Sequence, residues 1–196
     1  MKWNISVSGC ESDKCAISCG TGPWEQGDAD HCYLWNTRQM KWTDAEKYCE
    51  DQGGHLASIT SSAINNFVLQ SMASRPGMIW HVLAKAIWVG GYDFDDETKW
   101  KWTDCNRFQP LFWGRNEPNN LNVEGCMQLV LDYPRQSHLN RKWNDWSCKT
   151  LLPSLCMKRI CGRGTSNLLA NPIPTPSAGN SERSNNGILE AQGLEG

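Results

Sequence analysis

Three acidic and two amide side chains in the second half of the sequence have the chemistry of a cation site. Glu117 and Asn119 flank Pro118, Glu124 stands two residues before Cys126, and Asn144 and Asp145 follow Trp143 and precede Cys148. All five offer oxygen. A hard cation such as Ca²⁺ takes about 6–8 oxygens at ~2.3–2.6 Å and accepts carboxylate, amide and backbone carbonyl groups alike. No Cys/His pairing accompanies them to favour zinc. Three carboxylates against a doubly charged ion leave one surplus negative charge, which is ordinary for calcium. Asn and Pro are also common turn residues, so Glu117-Pro118-Asn119-Asn120 alone reads first as a solvated loop. The second segment, Trp143-Asn144-Asp145 beside a cysteine, is what favours the cation.

Two devices in the chain are suited to position these groups. A bond between Cys126 and Cys148 would tie the two oxygen-bearing segments together across about twenty residues. A cis bond before Pro118, which costs little for an X-Pro pair, would point the carbonyl groups of Glu117 and Asn119 the same way. Upstream, Thr43-Asp44-Ala45-Glu46 has the spacing of a capping box, and the helix it opens runs to about Asp51, before Gly53-Gly54. A second helix starts near Ser61 or Ser62, carries Ile64, Phe67, Val68 and Met72 inward, and ends at Arg75-Pro76-Gly77. Cys32-Tyr33-Leu34-Trp35, Ile87-Trp88-Val89, Cys126 to Leu131 and Leu155-Cys156-Met157 read as strands. Two helices followed by short strands predict an α+β fold. The stretch from Gly91 to Gly125 reads as a long loop, a feature usually kept for function.

The chain has 196 residues, a net charge of −2, ten cysteines and eleven tryptophans. Balanced charge argues against nucleic acid as a partner. No apolar run approaches the ~18 residues of a membrane-spanning helix. The even, heavy cysteine count points to disulfides in a secreted, extracellular protein. The Asn4-Ile5-Ser6 sequon would then be open to glycosylation. By texture the chain divides into a cysteine-containing N-terminal extension (1–18), a main domain (19–161) and a Gly/Asn/Ser/Pro-rich tail (162–196) that reads as disordered. No order of Ser, His and Asp, phosphate loop or paired-acid cleft marks an enzyme.

The residues Cys32-Tyr33, Trp42 through Cys49, Gly53-Gly54-His55-Leu56-Ala57-Ser58-Ile59, Ile87-Trp88-Val89-Gly90, Glu117-Pro118-Asn119, Trp143-Asn144-Asp145 and Cys156 occur in this order. In that order they resemble the C-type lectin-like domain family, over about residues 19–158. The resemblance implies a disulfide-stapled double-loop fold with two helices and small antiparallel sheets. It implies pairs Cys49–Cys156, Cys126–Cys148 and Cys19–Cys32. Cys10, Cys15, Cys105 and Cys161 are left with three possible pairings, and Cys161 bonding to the N-terminal segment fits the family's close termini. Trp88 and Gly90 take packing and turn roles, and His55 a structural one. The remaining tryptophans are read first as core, with Trp113 and Trp146 flanking the site.

The resemblance further implies that Glu117, Asn119, Glu124, Asn144 and Asp145 hold a primary Ca²⁺ whose shell is completed by two vicinal sugar hydroxyls. Each hydroxyl gives a lone pair to the ion, accepts from an amide and donates to a carboxylate. Glu117 with Asn119, and Glu124 with Asn144, suit those roles. The order Glu-Pro-Asn resembles members that take mannose, fucose or N-acetylglucosamine, and galactose-preferring members look like Gln-Pro-Asp. Asp93 and Glu97 have the spacing of a second calcium site, but Asn120 and Gly125 stand where two more acids are needed, so a single ion is expected. The partners expected are glycans or glycoproteins. Few sugar groups are buried at such a site, so strong binding requires several sites together, as in a homo-oligomer. The alternatives on the same fold are an ice-binding type II antifreeze protein and a biomineral-matrix protein.

Overall fold

The computed structural model of the chain describes residues 15–93, 99–120 and 123–161. The expectations placed on residues 1–14 and 162–196 and on Glu97 lie outside the described residues.

β2 (His31–Met40) buries Cys32, Tyr33, Leu34 and Asn36 and pairs antiparallel with β8 (Leu152–Arg159), from His31 opposite Arg159 to Met40 opposite Leu152. The first long strand and the last are therefore neighbours, which brings the two ends of the domain together. β1 (Glu25–Gln26) extends this edge, Ala16 bridges Ile160, and a Cys15–Cys161 disulfide closes it. On the other side of β8, β4 (Lys85–Tyr92) makes a parallel contact, Trp88 to Ser154. β6 (Cys126–Asp132) and β7 (Trp143–Trp146) then follow antiparallel, so the sheet runs β1-β2-β8-β4-β6-β7. Two short strands attach to its sides: β3 (His55–Leu56) to β8, and β5 (Lys101–Trp102) to β4. The small antiparallel sheets expected from the sequence are thus joined into one by a single parallel contact.

Helix α2 (Ser62–Ser74) forms as its sequence predicts. The Ser61 hydroxyl accepts the Ile64 N–H, Ile64, Val68 and Met72 are buried, and Gly77 adopts φ +74° past the end. Helix α1 (Trp42–Asp51) does not start as expected. Its N-cap is Lys41, which makes no side-chain cap, and Thr43 lies inside the helix. The capping box fails because Glu46 is used elsewhere. Its Oε1 lies 2.6 Å from His55 Nδ1, and its Oε2 accepts the Leu56 N–H at 2.8 Å. A buried carboxylate with two tertiary partners prevails over a local cap.

Trp42, Trp88 and Trp143 are wholly buried and Trp102 is 2% exposed, so these tryptophans are core as expected. Gly90 is required by packing: a Cβ there would stand 2.5 Å from the Leu56 carbonyl oxygen. Disulfides Cys19–Cys32, Cys49–Cys156 and Cys126–Cys148 all form, and Cys105 is also disulfide-bonded. Cys49–Cys156 fastens α1 to β8. Among the described residues no helix is long and apolar enough to cross a membrane.

Candidate functional site

The long segment between β5 and β6 is built on an aromatic floor. The Trp143 ring packs edge-on against Trp102 at 5.5 Å, Phe112 at 5.2 Å and Trp113 at 5.8 Å, and Trp113 packs against Trp100 at 4.8 Å. Such edge-to-face contacts orient rings as well as bury them. Trp113 therefore belongs to this floor. The backbone completes the attachment: the Trp143 N–H donates to the Phe112 carbonyl, and the Gly114 N–H to the Trp143 carbonyl, both at 2.8 Å. The loop is thus fixed to the residue that precedes Asn144 and Asp145.

From there the chain turns tightly. Asn116 takes φ +68°, a left-handed conformation Asn tolerates, and the Glu117 N–H donates to the Gly114 carbonyl. The Glu117–Pro118 bond is cis. The Asn119 N–H then lies 3.2 and 3.1 Å from Asp145 Oδ1 and Oδ2, and the Asn120 N–H 3.1 Å from Oδ2. Asn120 Nδ2 donates to Glu124 Oε2 at 2.8 Å. Asp145, 1% exposed, thus holds the loop onto strand β7, whose pairing with β6 is continued by the Cys126–Cys148 bond.

The electrostatics of the group follow from its geometry. The Glu117 carboxyl is pushed up to about 8, first by burial, then by its contact with and repulsion from Asp145, and by the charge of Glu124, against a hydrogen bond from Asn119. Glu124 is raised as well, by burial and by Asp145, while the Asn120 amide lowers it. Glu117 Oε2 is buried without a hydrogen-bond partner, and so is Asn144 Nδ2. Burying polar atoms this way costs free energy unless something pairs with them. Rotating the Asn144 amide by 180° would exchange its donor for an acceptor. The donor set is all oxygen, carries up to three negative charges and contains neither His nor Cys. It fits a hard divalent cation.

Of the five residues singled out in the sequence, the structure joins Glu117, Asn119, Glu124 and Asp145 through hydrogen bonds and mutual charge. Asn144 belongs to the group by its place next to Asp145 on β7; among the described contacts its side chain meets none of the other four. Asn120, read from sequence as an occupant of a position otherwise acidic, is hydrogen-bonded to both Glu124 and Asp145. Its spacing of four residues from Glu124 within a turn was the available signal. Asp93 is buried at the end of β4, and its N–H donates to the Gly125 carbonyl. Trp146 is partly buried against the core on the α1 side of the sheet.

A second set of metal-capable side chains, Glu46, Glu50 and His55, has ligand atoms within 4.8 Å of one another. Glu46 and His55 there are already bonded to each other, and this pair fixes α1 to β3.

The family model for the lectin C-type domain matches residues 38–158. The chain belongs to the C-type lectin domain family. It is 30% identical over 135 residues to mouse C-type lectin domain family 4 member F, covering 64% of this chain and 21% of that protein. It is 30% identical over 168 residues to the human CD209 antigen, covering 81% of this chain and 37% of that one. The chain thus spans well under half the length of these two relatives. Among solved structures it is similar to a Ca²⁺-dependent type II antifreeze protein in its Ca²⁺-free form, at 29% identity and a TM-score of 0.57, over 69% of this chain and 97% of that one. The fold of this lectin domain is therefore the C-type lectin-like fold.

Proposed function

We propose that this domain binds carbohydrate through one calcium ion held by Glu117, Asn119, Glu124, Asn144 and Asp145. The observation that carries the reading is the buried, unpartnered Glu117 Oε2 beside two further carboxylates. Like charges gathered at this density are costly in water and costlier when half-buried, and a divalent cation offsets them. The ion supplies a Lewis-acid centre to which neutral hydroxyls can bind. The chain's own groups do the rest. Carboxylate oxygens of Glu117 and Glu124 accept hydroxyl protons, and the amides of Asn119 and Asn144 donate to hydroxyl lone pairs. Two hydroxyls on adjacent carbons match two such acceptor–donor pairs. The order Glu117-Pro118-Asn119 favours the equatorial diol of mannose, fucose or N-acetylglucosamine.

The partners on this reading are glycans or glycoproteins, met by a secreted chain that gains strength by assembling several copies. Its work is binding, with no catalysis. A second reading, ice binding through the same loop, draws on the likeness to the antifreeze structure. A mannose–agarose column loaded in calcium and eluted with EDTA tests the first. Retention that free mannose competes away better than galactose is the expected result. Flow-through on mannose, galactose and N-acetylglucosamine resins alike would sink the lectin reading, and thermal hysteresis in the same sample would then favour ice.

A further inference from the structure

We propose that Asn120 is the positioning residue of the cation site, holding Glu124 and Asp145 in place without itself binding the ion. The inference rests on the calcium reading above. Asn120 is bonded to two of the three carboxylates, which belong to different segments of the chain. Its side-chain Nδ2 donates to Glu124 Oε2 at 2.8 Å, and its backbone N–H donates to Asp145 Oδ2 at 3.1 Å. Its carbonyl accepts the N–H groups of both Val123 and Glu124 at 3.1 Å, which closes the turn that carries Glu124. A single residue therefore sets the direction of Glu124 by its side chain, the path of the turn by its carbonyl, and the seat of the loop on β7 by its N–H.

The residue type matters. An Asp at this position would offer an acceptor to Glu124, and two carboxylates would then face each other. Asn offers a donor, which stabilises the ionised Glu124 and aims it. With its amide turned to Glu124, Asn120 acts at one remove from the ion. Groups that orient metal ligands in this way typically change metal affinity by roughly 10–100-fold when removed. Asn120 is exposed, and water competes for its amide, so the lower end applies.

The test uses the full chain, with calcium titrated by calorimetry and mannose binding measured separately at saturating calcium. Wild type is expected to bind one ion. Asn120→Ala is expected to bind one ion about tenfold more weakly, and Asn120→Ser, which keeps a short donor, to fall between. Mannose affinity at saturating calcium is expected to fall by less than calcium affinity does, because the bound ion still holds Glu124 when its hydrogen bond from Asn120 is lost. Equal calcium affinity in wild type and Asn120→Ala would overturn the inference. So would a stoichiometry that drops from two to one, which would make Asn120 a ligand, or a loss of mannose affinity at saturating calcium larger than the loss of calcium affinity, which would make it a sugar contact. If wild type binds no calcium, the lectin reading itself falls and takes this one with it. Melting curves in EDTA that coincide for all three proteins exclude a folding defect as the cause.

Discussion

Replacing Glu46 by Gln should destabilise the domain in a pH-dependent way. Glu46 is 4% exposed, and each of its oxygens has one partner: His55 Nδ1 at 2.6 Å and the Leu56 N–H at 2.8 Å. Gln keeps the volume but supplies only one acceptor oxygen, so its NH₂ must face either the protonated His55 or the Leu56 N–H. A hydrogen bond to a charged group is worth about 1.5–3 kcal/mol, which sets the expected loss near 2 kcal/mol. At roughly 3–4 °C per kcal/mol for a domain of this size, Tm falls by roughly 6–8 °C. The pH dependence follows from His55, whose pKa is raised first by its hydrogen bond to Glu46, then by the charges of Glu46, Asp104 and Glu50, against burial. A group raised in the fold stabilises it fully below its unfolded value, about 6.5 for His, and loses that contribution as pH rises through the raised one. The gap between wild type and Glu46→Gln is therefore widest near pH 6 and narrows toward pH 9. Thermal melts by circular dichroism at pH 6, 7.5 and 9, all in EDTA, read it directly. A gap that stays constant from pH 6 to 9, or a variant as stable as wild type, would refute the assignment of Glu46 and His55 as the pin between α1 and β3.

Two further outcomes concern the site. Glu117 is pushed up to about 8 in the ion-free protein and must ionise to hold a cation. Calcium binding at pH 7 should therefore release close to one proton, and affinity should weaken by roughly tenfold per pH unit below 8. Calorimetry in two buffers of different ionisation enthalpy measures the proton, and its absence would mean that Glu117 does not meet the ion. Glu117→Gln together with Asn119→Asp exchanges donor and acceptor sides, and should move preference from mannose toward galactose on paired affinity columns; unchanged preference would remove this pair as the selecting one.

Much of the fold is legible in local chemistry. Ser61 and Gly77 mark the ends of α2 because capping and φ > 0 are properties of single residues. α1 is misread at its start for the opposite reason: whether Glu46 turns back to its own helix or across to His55 depends on what lies within reach, and His55 arrives by packing. β2 is legible only at residues 32–35 yet continues to Met40, because β8 lies beside it and offers partners beyond the apolar run. The three family disulfides follow from resemblance, whereas Cys15–Cys161 needed β2 and β8 to be neighbours.

At the site, the sequence by itself determined the donor types, the absence of soft ligands and the five residues to watch, since side-chain chemistry and spacing are written in it. Tertiary structure alone decided which of them meet. The attachment of Phe112 and Gly114 to Trp143 brings Glu117 to Asp145 across the chain. That approach raises the Glu117 carboxyl, because repulsion and burial act through distance in space. It also turned Asn120 from a missing acid into a donor, since the direction of a hydrogen bond is settled only when the turn has closed.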